Sequence, residues 1–396
     1  MKMTPIHCGY LPLVDCAPLI IAQELRFAAE EGLDLQLMKQ PSWSALRDRL
    51  AFGQIDFAHM LSPMPIAMSL GLGGVATRVD ALMVLSVNGT VIGISADLER
   101  QMQQTGWTNS FDAPQATSRA LFEASSRPLR IGVPFPFSMH RMLLETWLSQ
   151  APGYAQERIE IVTVPPPQMA DAMREGALDM FCVGEPWGTV AVQHSGASLI
   201  LPGSSIWACA PEKVLGVRHD WAAENNQTCQ AMIRALSKAT HWLDQPQNTP
   251  LATSILARSQ HLDLPDHAID PALTHQITTK LGQPPRQTDR FLRFYQSAAN
   301  FPWLSQASWI ADVLSDWHAL ENDQARKIAR ACFRSDLYRA ALAPIGVDLP
   351  KTSEKVEGAL KAPTLTSSTM GQMILGPDEF FNGAVFDFSA SDMPKN

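Results

Sequence analysis

The chain repeats itself once at a nearly fixed offset. Gly9, Gly53, Asp56, Pro63, Gly73, Val91 and Gly93 recur 123 residues later as Gly132, Gly176, Asp179, Pro186, Gly196, Val214 and Gly216, and Pro41 recurs 124 later as Pro165. Spacing held constant over residues 9–95 and 132–218 reads as two copies of one folding unit, and self-similarity decides an architecture before any single element is assigned. The clearest shared word is Gly-x-x-Asp, Gly53–Asp56 in one copy and Gly176–Asp179 in the other. A glycine that ends a helix just before an alternating apolar run marks a helix stop and strand start. The word is therefore punctuation and not a catalytic motif.

Each copy has the same rhythm. In the first, "PIHCGY" is a strand, "CAPLIIAQELRFAAEEG" one helix capped by Gly32, "LDLQLMK" a strand, the segment after Ser42 a helix through "RDRLAFG", and "DFAHML" a third strand. The second reads "LRIGVPF", "SMHRMLLETWLSQAPG", "RIEIVTV", "PQMADAMREG" and "LDMFCVG". Apolar residues at helical spacing alternate here with period-two runs, giving β-α-β-α-β twice, with parallel strands by the right-handed crossover rule. "TVIGIS" at 90–95 and "KVLGVR" at 213–218 suit two crossings between lobes. The expected domains are residues 1–90 as the first part of lobe I, 91–212 as lobe II, and 213–396 as a return to lobe I with a helical C-terminal region. In that region "CQAMIRALSKATHWLDQ", "DRFLRFYQSAANF" and "ASWIADVLSDWHALE" have helical spacing, and the Ser/Thr/Gly-rich stretch "KAPTLTSSTMGQMILGPDEFFNGAVFD" reads as surface loop. At 396 residues the chain exceeds what a single core holds.

A net charge of -8 argues against direct contact with nucleic acid. The opening "MKMTPIHCGYLPLVDCAPLIIAQELRF" has no apolar run followed by a small-residue cleavage site, and no run is long enough for a membrane span, so a cytoplasmic location is expected. Cys8, Cys16, Cys182, Cys209, Cys229 and Cys332 are scattered without metal-ligand spacing and read as reduced core residues. No cofactor and no metal are expected. Nucleophile-elbow, phosphate-loop, dinucleotide and zinc-protease motifs are missing; "GLGG" at 71–74 follows a helix and reads as its stop. The chain is not expected to be an enzyme.

Two α/β lobes in tandem place a ligand site in the cleft between them, beyond the carboxyl ends of parallel strands. Candidate residues lie at corresponding edges of the copies. His140 sits in the first turn of a helix, where it serves either an anion or the packing and capping of that turn. Lys213 holds in the second copy the position of Thr90 in the first, and is either a cleft cation or a solvated surface lysine. Trp43 follows the helix cap Ser42 as core or as cleft wall, and Gly184 leaves a bare backbone N–H after a strand. A cation, an imidazole, an indole and backbone amides form an all-donor pocket suited to a small oxyanion, provided that Glu185 and Asp15 point away or pair elsewhere. A protonated His140 would strengthen anion binding below about pH 6.5.

"GYLPLVDCAPLIIAQE", "SWSALRDRLAFGQIDFAHMLSPMPIAMSLGLGG", "NGTVIGIS", "FPFSMHRMLLETWL", "CVGEPWG", "PEKVLGV" and "FFNGAVFD" resemble the nitrate and bicarbonate substrate-binding proteins of ABC transporters, the NrtA/CmpA-like family, from about residue 6 to residue 388. The resemblance implies a two-lobe, type II periplasmic-binding-protein-like C-clamp of the α/β class. It implies an anion held by Trp43, Thr90 (the position after Asn88-Gly89), His140, Gly184 and Lys213. A lysine after "PE" favours nitrate or nitrite over bicarbonate. Thr90 departs from the glutamine of the nitrate proteins, and its shorter side chain leaves finer selectivity open. With no lipoprotein signal or tether in view, the chain is most similar to the cytoplasmic nitrate/nitrite sensor (NasS-like) branch, which implies a NasT-like RNA-binding antiterminator as protein partner and control of nitrate assimilation genes. Two other readings stand beside it: a nitrate-binding subunit of an ABC transporter, and an enzyme resembling the thiamine-pyrimidine synthases of the same fold, which use a Cys-rich iron-binding segment that these scattered cysteines do not supply.

Overall fold

The computed structural model describes residues 3–388. Among the described residues its two principal sheets contain ten strands of five residues or more: β1 (Thr4–Tyr10), β2 (Leu33–Lys39), β3 (Phe57–Leu61), β4 (Val79–Asn88), β5 (Thr90–Ile94), β6 (Leu129–Val133), β7 (Ile159–Thr163), β8 (Met180–Gly184), β9 (Ser198–Pro202) and β10 (Pro211–Arg218). The first sheet runs β2-β1-β3-β10-β4, with the short strand Leu292–Arg293 at the β4 edge, and the second runs β7-β6-β8-β5-β9. The lobes thus exchange one strand each. The chain changes sheet at Gly89 and returns at Pro211, so β5 enters the second sheet antiparallel to β8 and β10 enters the first antiparallel to β3. The expected domain spans reach residues 1–2 and 389–396, which lie outside the described residues.

The sequence repeat is a repeat of register. In the first sheet Gly9 and Gly216 both face Ala58; in the second Gly132 and Gly93 both face Phe181. Every partner is displaced by the same 123 positions. A Cβ on Gly93 would lie 2.2 Å from the Phe181 ring and one on Gly216 2.2 Å from Met60 Sδ, so close packing over the crossing strands requires glycine. Gly53 and Gly176 both have φ of +68°, the left-handed value favoured at a helix stop. The aspartates of the shared word accept equivalent backbone bonds, His7 N–H to Asp56 at 2.8 Å and Arg130 N–H to Asp179 at 2.9 Å. Each one fastens the start of its strand to the neighbouring strand.

Three expected elements differ. The single helix over 16–32 is broken into Ala17–Glu24 and Phe27–Glu30, because Arg26 between them takes a left-handed φ of 63°. "DRFLRFYQSAANF" is not a helix: Leu292 and Arg293 pair with β4, and the Asp244 carboxylate accepts the N–H groups of Phe294, Tyr295 and Gln296, holding the segment as a turn. The stretch expected as surface loop contains a hairpin, Thr364–Ser368 against Gly371–Leu375, and beyond it Phe380 stacks on Trp207 with ring centroids 4.8 Å apart. Buried aromatic area pins the end of the chain to the body. The helices Asn226–Leu243 and Leu304–His318 form where helical spacing placed them. Five of the six cysteines are buried, and none of the six is in a disulfide. Among the described residues no helix is long and apolar enough to cross a membrane.

Candidate functional site

Trp43 opens the helix Trp43–Ala51, whose cap Ser42 accepts the Ala45 N–H at 3.2 Å. His140 is the second residue of the helix Met139–Leu148, capped in the same way by Ser138 onto the Arg141 N–H. A side-chain cap satisfies one of the free N–H groups of the first turn and fixes the entry angle of the chain, which is what aims both rings inward. Both side chains are fully buried, as is Lys213 on β10. Lys213 pairs with Leu61 across β3–β10, and the positions equivalent by the repeat, Thr90 and Gly184, pair across β5–β8. The two crossings therefore bring repeat-equivalent positions, Thr90 of β5 and Lys213 of β10, to one interlobe region.

Four of the five expected site residues meet around the Lys213 ammonium. Nζ lies 5.5 Å from the centre of the Trp43 ring, and Glu212, bonded to it, lies 3.3 Å from His140 Nδ1. A Cβ placed on Gly184 would sit 3.8 Å from His140 Nε2 and 3.6 Å from Asp15 Oδ2. Thr90 joins them through its pairing with Gly184; its hydroxyl lies over the Gly203 backbone, where a Cβ would be 2.1 Å away. Trp43 Nε1 and His140 Nε2 are buried without a hydrogen-bond partner among the described residues, whereas His140 Nδ1 faces Glu212 and the Thr90 hydroxyl faces Cys182. Buried polar atoms are rarely left this way, and two of them beside one buried ammonium call for an explanation.

The expected all-donor pocket is corrected by two carboxylates. Asp15 does not point away: its Oδ2 lies 2.7 Å from Lys213 Nζ, and Glu212 Oε1 lies at the same 2.7 Å. Glu212 and Lys213 are neighbours on one strand and would normally face opposite ways. Irregular register against β4 on both sides of Lys213 swings the two side chains together. Glu185 turns to its own helix, accepting the Thr189 N–H at 2.9 Å. His59 of β3 adds a further imidazole, Nε2 3.1 Å from Asp15 Oδ1 and its ring 5.8 Å from that of Trp43. His59 escaped the sequence reading, although the repeat aligns it with Cys182 on β8, and both are fully buried beside the crossings.

The electrostatics follow from burial and this pairing. Burial pushes the Asp15 carboxyl up, but Lys213 and His59 pull it down further, to about 2. Burial dominates at Glu212, which rises to about 7 despite Lys213. Burial works against the Lys213 ammonium too, yet the two carboxylates outweigh it and its pKa is raised. His140 is held well below the ordinary histidine value by burial and then by Lys213, so the expected protonation of His140 near pH 6.5 does not occur in this environment. Burial lowers His59 as well, against the pull of Asp15. Open surface cavities, such as the one lined by Ser204, Arg286, Arg290 and Phe380, lie away from this enclosed cluster.

Residues 1–257 match the NMT1-like family, and the chain belongs to it. It is 29% identical over 398 residues to the nitrate/nitrite binding protein NrtA of Synechococcus elongatus, covering 96% of this chain and 83% of that protein. It is 32% identical over 352 residues to the nitrate import ATP-binding protein NrtC of the same organism, covering 88% of this chain and 52% of that one. The chain thus spans about half the length of the ATP-binding relatives it matches. The crystal structure of the periplasmic nitrate-binding protein NrtA from Synechocystis PCC 6803 superposes with a TM-score of 0.83 at 27% identity, over 98% of this chain and 96% of that one. The two-lobe, periplasmic-binding-protein-like fold expected from the repeat is the fold of the molecule.

Proposed function

We propose that the protein binds nitrate or nitrite between its lobes and acts as the solute-binding component of an anion importer. The observation that carries this is the meeting of buried polar groups from both lobes beside Lys213, with Trp43 Nε1 from one and His140 Nε2 from the other left without a partner among the described residues. A flat monoanion takes several N–H and O–H donors around its edge, and donors drawn from two lobes make its affinity depend on closure. The similarity to NrtA supports the choice of anion. Titration calorimetry and thermal shift with nitrate, nitrite, bicarbonate and sulfate test it. Tight nitrate or nitrite binding is expected; no binding of any of the four would refute it.

The cytoplasmic sensor reading uses the same clamp with a different output. In it the anion-bound, closed form has lower affinity for a NasT-like antiterminator, because a ligand shifts an equilibrium by its differential affinity for the two states. The names of the relatives favour the importer component, and the acidic net charge is what supports a protein partner that handles RNA on the sensor's behalf. Co-purification with an antiterminator, released by nitrate, would select the sensor. The enzyme reading calls for a metal-binding cysteine segment. Among the described residues, no group of three or more His, Cys, Asp or Glu is arranged to hold a metal ion.

A further inference from the structure

We propose that the interlobe cluster takes its anion together with a proton, and that Glu212 is the group that accepts it. The inference rests on the anion-binding function proposed above. Lys213 is a single cation already in contact with two carboxylates, Asp15 and Glu212, each 2.7 Å from Nζ. With both ionised, the trio carries one net negative charge before any ligand arrives. A monoanion added to it would meet more negative than positive charge where little water screens them, and unbalanced buried charge is strongly unfavourable.

A proton on one carboxylate removes that conflict. Asp15 stays ionised, because Lys213 and His59 hold it far below neutrality. Glu212 is poised to change state near neutral pH, burial outweighing the ammonium beside it. The titratable groups facing Glu212 are Lys213 on its own strand, Asp15 from the turn Val14–Cys16, His140 from the helix Met139–Leu148 and Cys182 from β8, with His59 of β3 behind Asp15. His140 and His59 are both held below their ordinary values, and Cys182 is already a neutral thiol pushed further up. Glu212 is the best proton acceptor in the set. Once protonated it ceases to be an acceptor-only group, gains an O–H donor, and leaves the Lys213 ammonium to be shared between Asp15 and the incoming anion. Its own Oε2 has no hydrogen-bond partner among the described residues. The ligand of the site is then a monoanion plus one proton.

Calorimetric titration with sodium nitrate in two buffers of different ionisation enthalpy measures the protons taken up per anion. The expected uptake approaches about one proton near pH 8 and falls towards zero near pH 5.5, with affinity weakening by up to roughly tenfold per pH unit above neutrality. Glu212→Gln is expected to bind nitrate with no uptake and with affinity that no longer changes with pH. The wild-type measurement stands without the variant should Glu212→Gln fail to fold. Nitrate binding without proton uptake near pH 8, or uptake undiminished in Glu212→Gln, would overturn the inference and leave the anion-binding function intact. No nitrate heat at any pH would overturn both.

Discussion

Lys213→Met removes the one cation of a buried three-charge cluster and leaves Asp15 and Glu212 with none. An ionised carboxylate stranded there is far from water, and the variant escapes by protonating it. For Asp15, with a reference pKa of 3.8, taking a proton at pH 7 costs about 4 kcal/mol at 1.36 kcal/mol per unit. At pH 5 the same step costs about 2 kcal/mol. The wild-type pair keeps Asp15 ionised down to about pH 2, so its contribution stays constant over this window, and the sign is fixed. Lys213→Met is least stable relative to wild type at neutral pH and recovers as pH falls. Equilibrium urea unfolding at pH 5 and pH 7 reads the difference directly. Lys213→Met with Asp15→Asn should recover at least about 2 kcal/mol of the loss at pH 7, since neutral replacement of a whole buried pair is often tolerated. Equal destabilisation at both pH values, or no recovery in the double variant, would refute the reasoning.

Three other outcomes follow from the same structure. Burial raises Glu185 from 4.5 to about 7, so the native protein holds that proton more tightly than the unfolded chain and loses stability as pH rises through this interval; Glu185→Gln should melt higher than wild type near pH 8 and equally near pH 4. Gly93→Ala, on the crossing strand β5, drives a Cβ into the Phe181 ring of β8 and should cost about 1–3 kcal/mol, seen as a lower melting temperature. Trp187 Nε1 donates to the Pro12 carbonyl across the lobes at 2.9 Å; Trp187→Phe deletes that bond, favours the open clamp, and should weaken anion affinity by about fivefold, for a net hydrogen bond of about 1 kcal/mol.

The repeat made most of the architecture legible. Glycines are retained where a neighbouring side chain packs over the backbone, so Gly9, Gly93 and their counterparts record strand register directly. The strand exchange at Thr90 and Lys213 was visible for the same reason. What escaped depends on contacts distant in sequence. Nothing local marks Arg26 as left-handed, and the turn at Phe294–Gln296 forms because a carboxylate 50 residues earlier takes its N–H groups. The hairpin after Thr364 has too little apolar alternation to stand apart from loop. At the site, donor types were readable from helix starts and strand ends, whereas Glu212 was hidden by the pleat rule, which an irregular register overrides. Asp15, expected to point away or pair elsewhere, pairs instead with the site's own cation, a partner nearly 200 residues distant in the chain.

The central claim is that donors from both lobes enclose one oxyanion at Lys213. A crystal structure of the protein grown with nitrate tests it most directly. The account predicts the anion in contact with Lys213 and Trp43 from one lobe and with His140 and the Thr90–Gly184 pair from the other. An anion bound elsewhere, or touching residues of a single lobe, would contradict it.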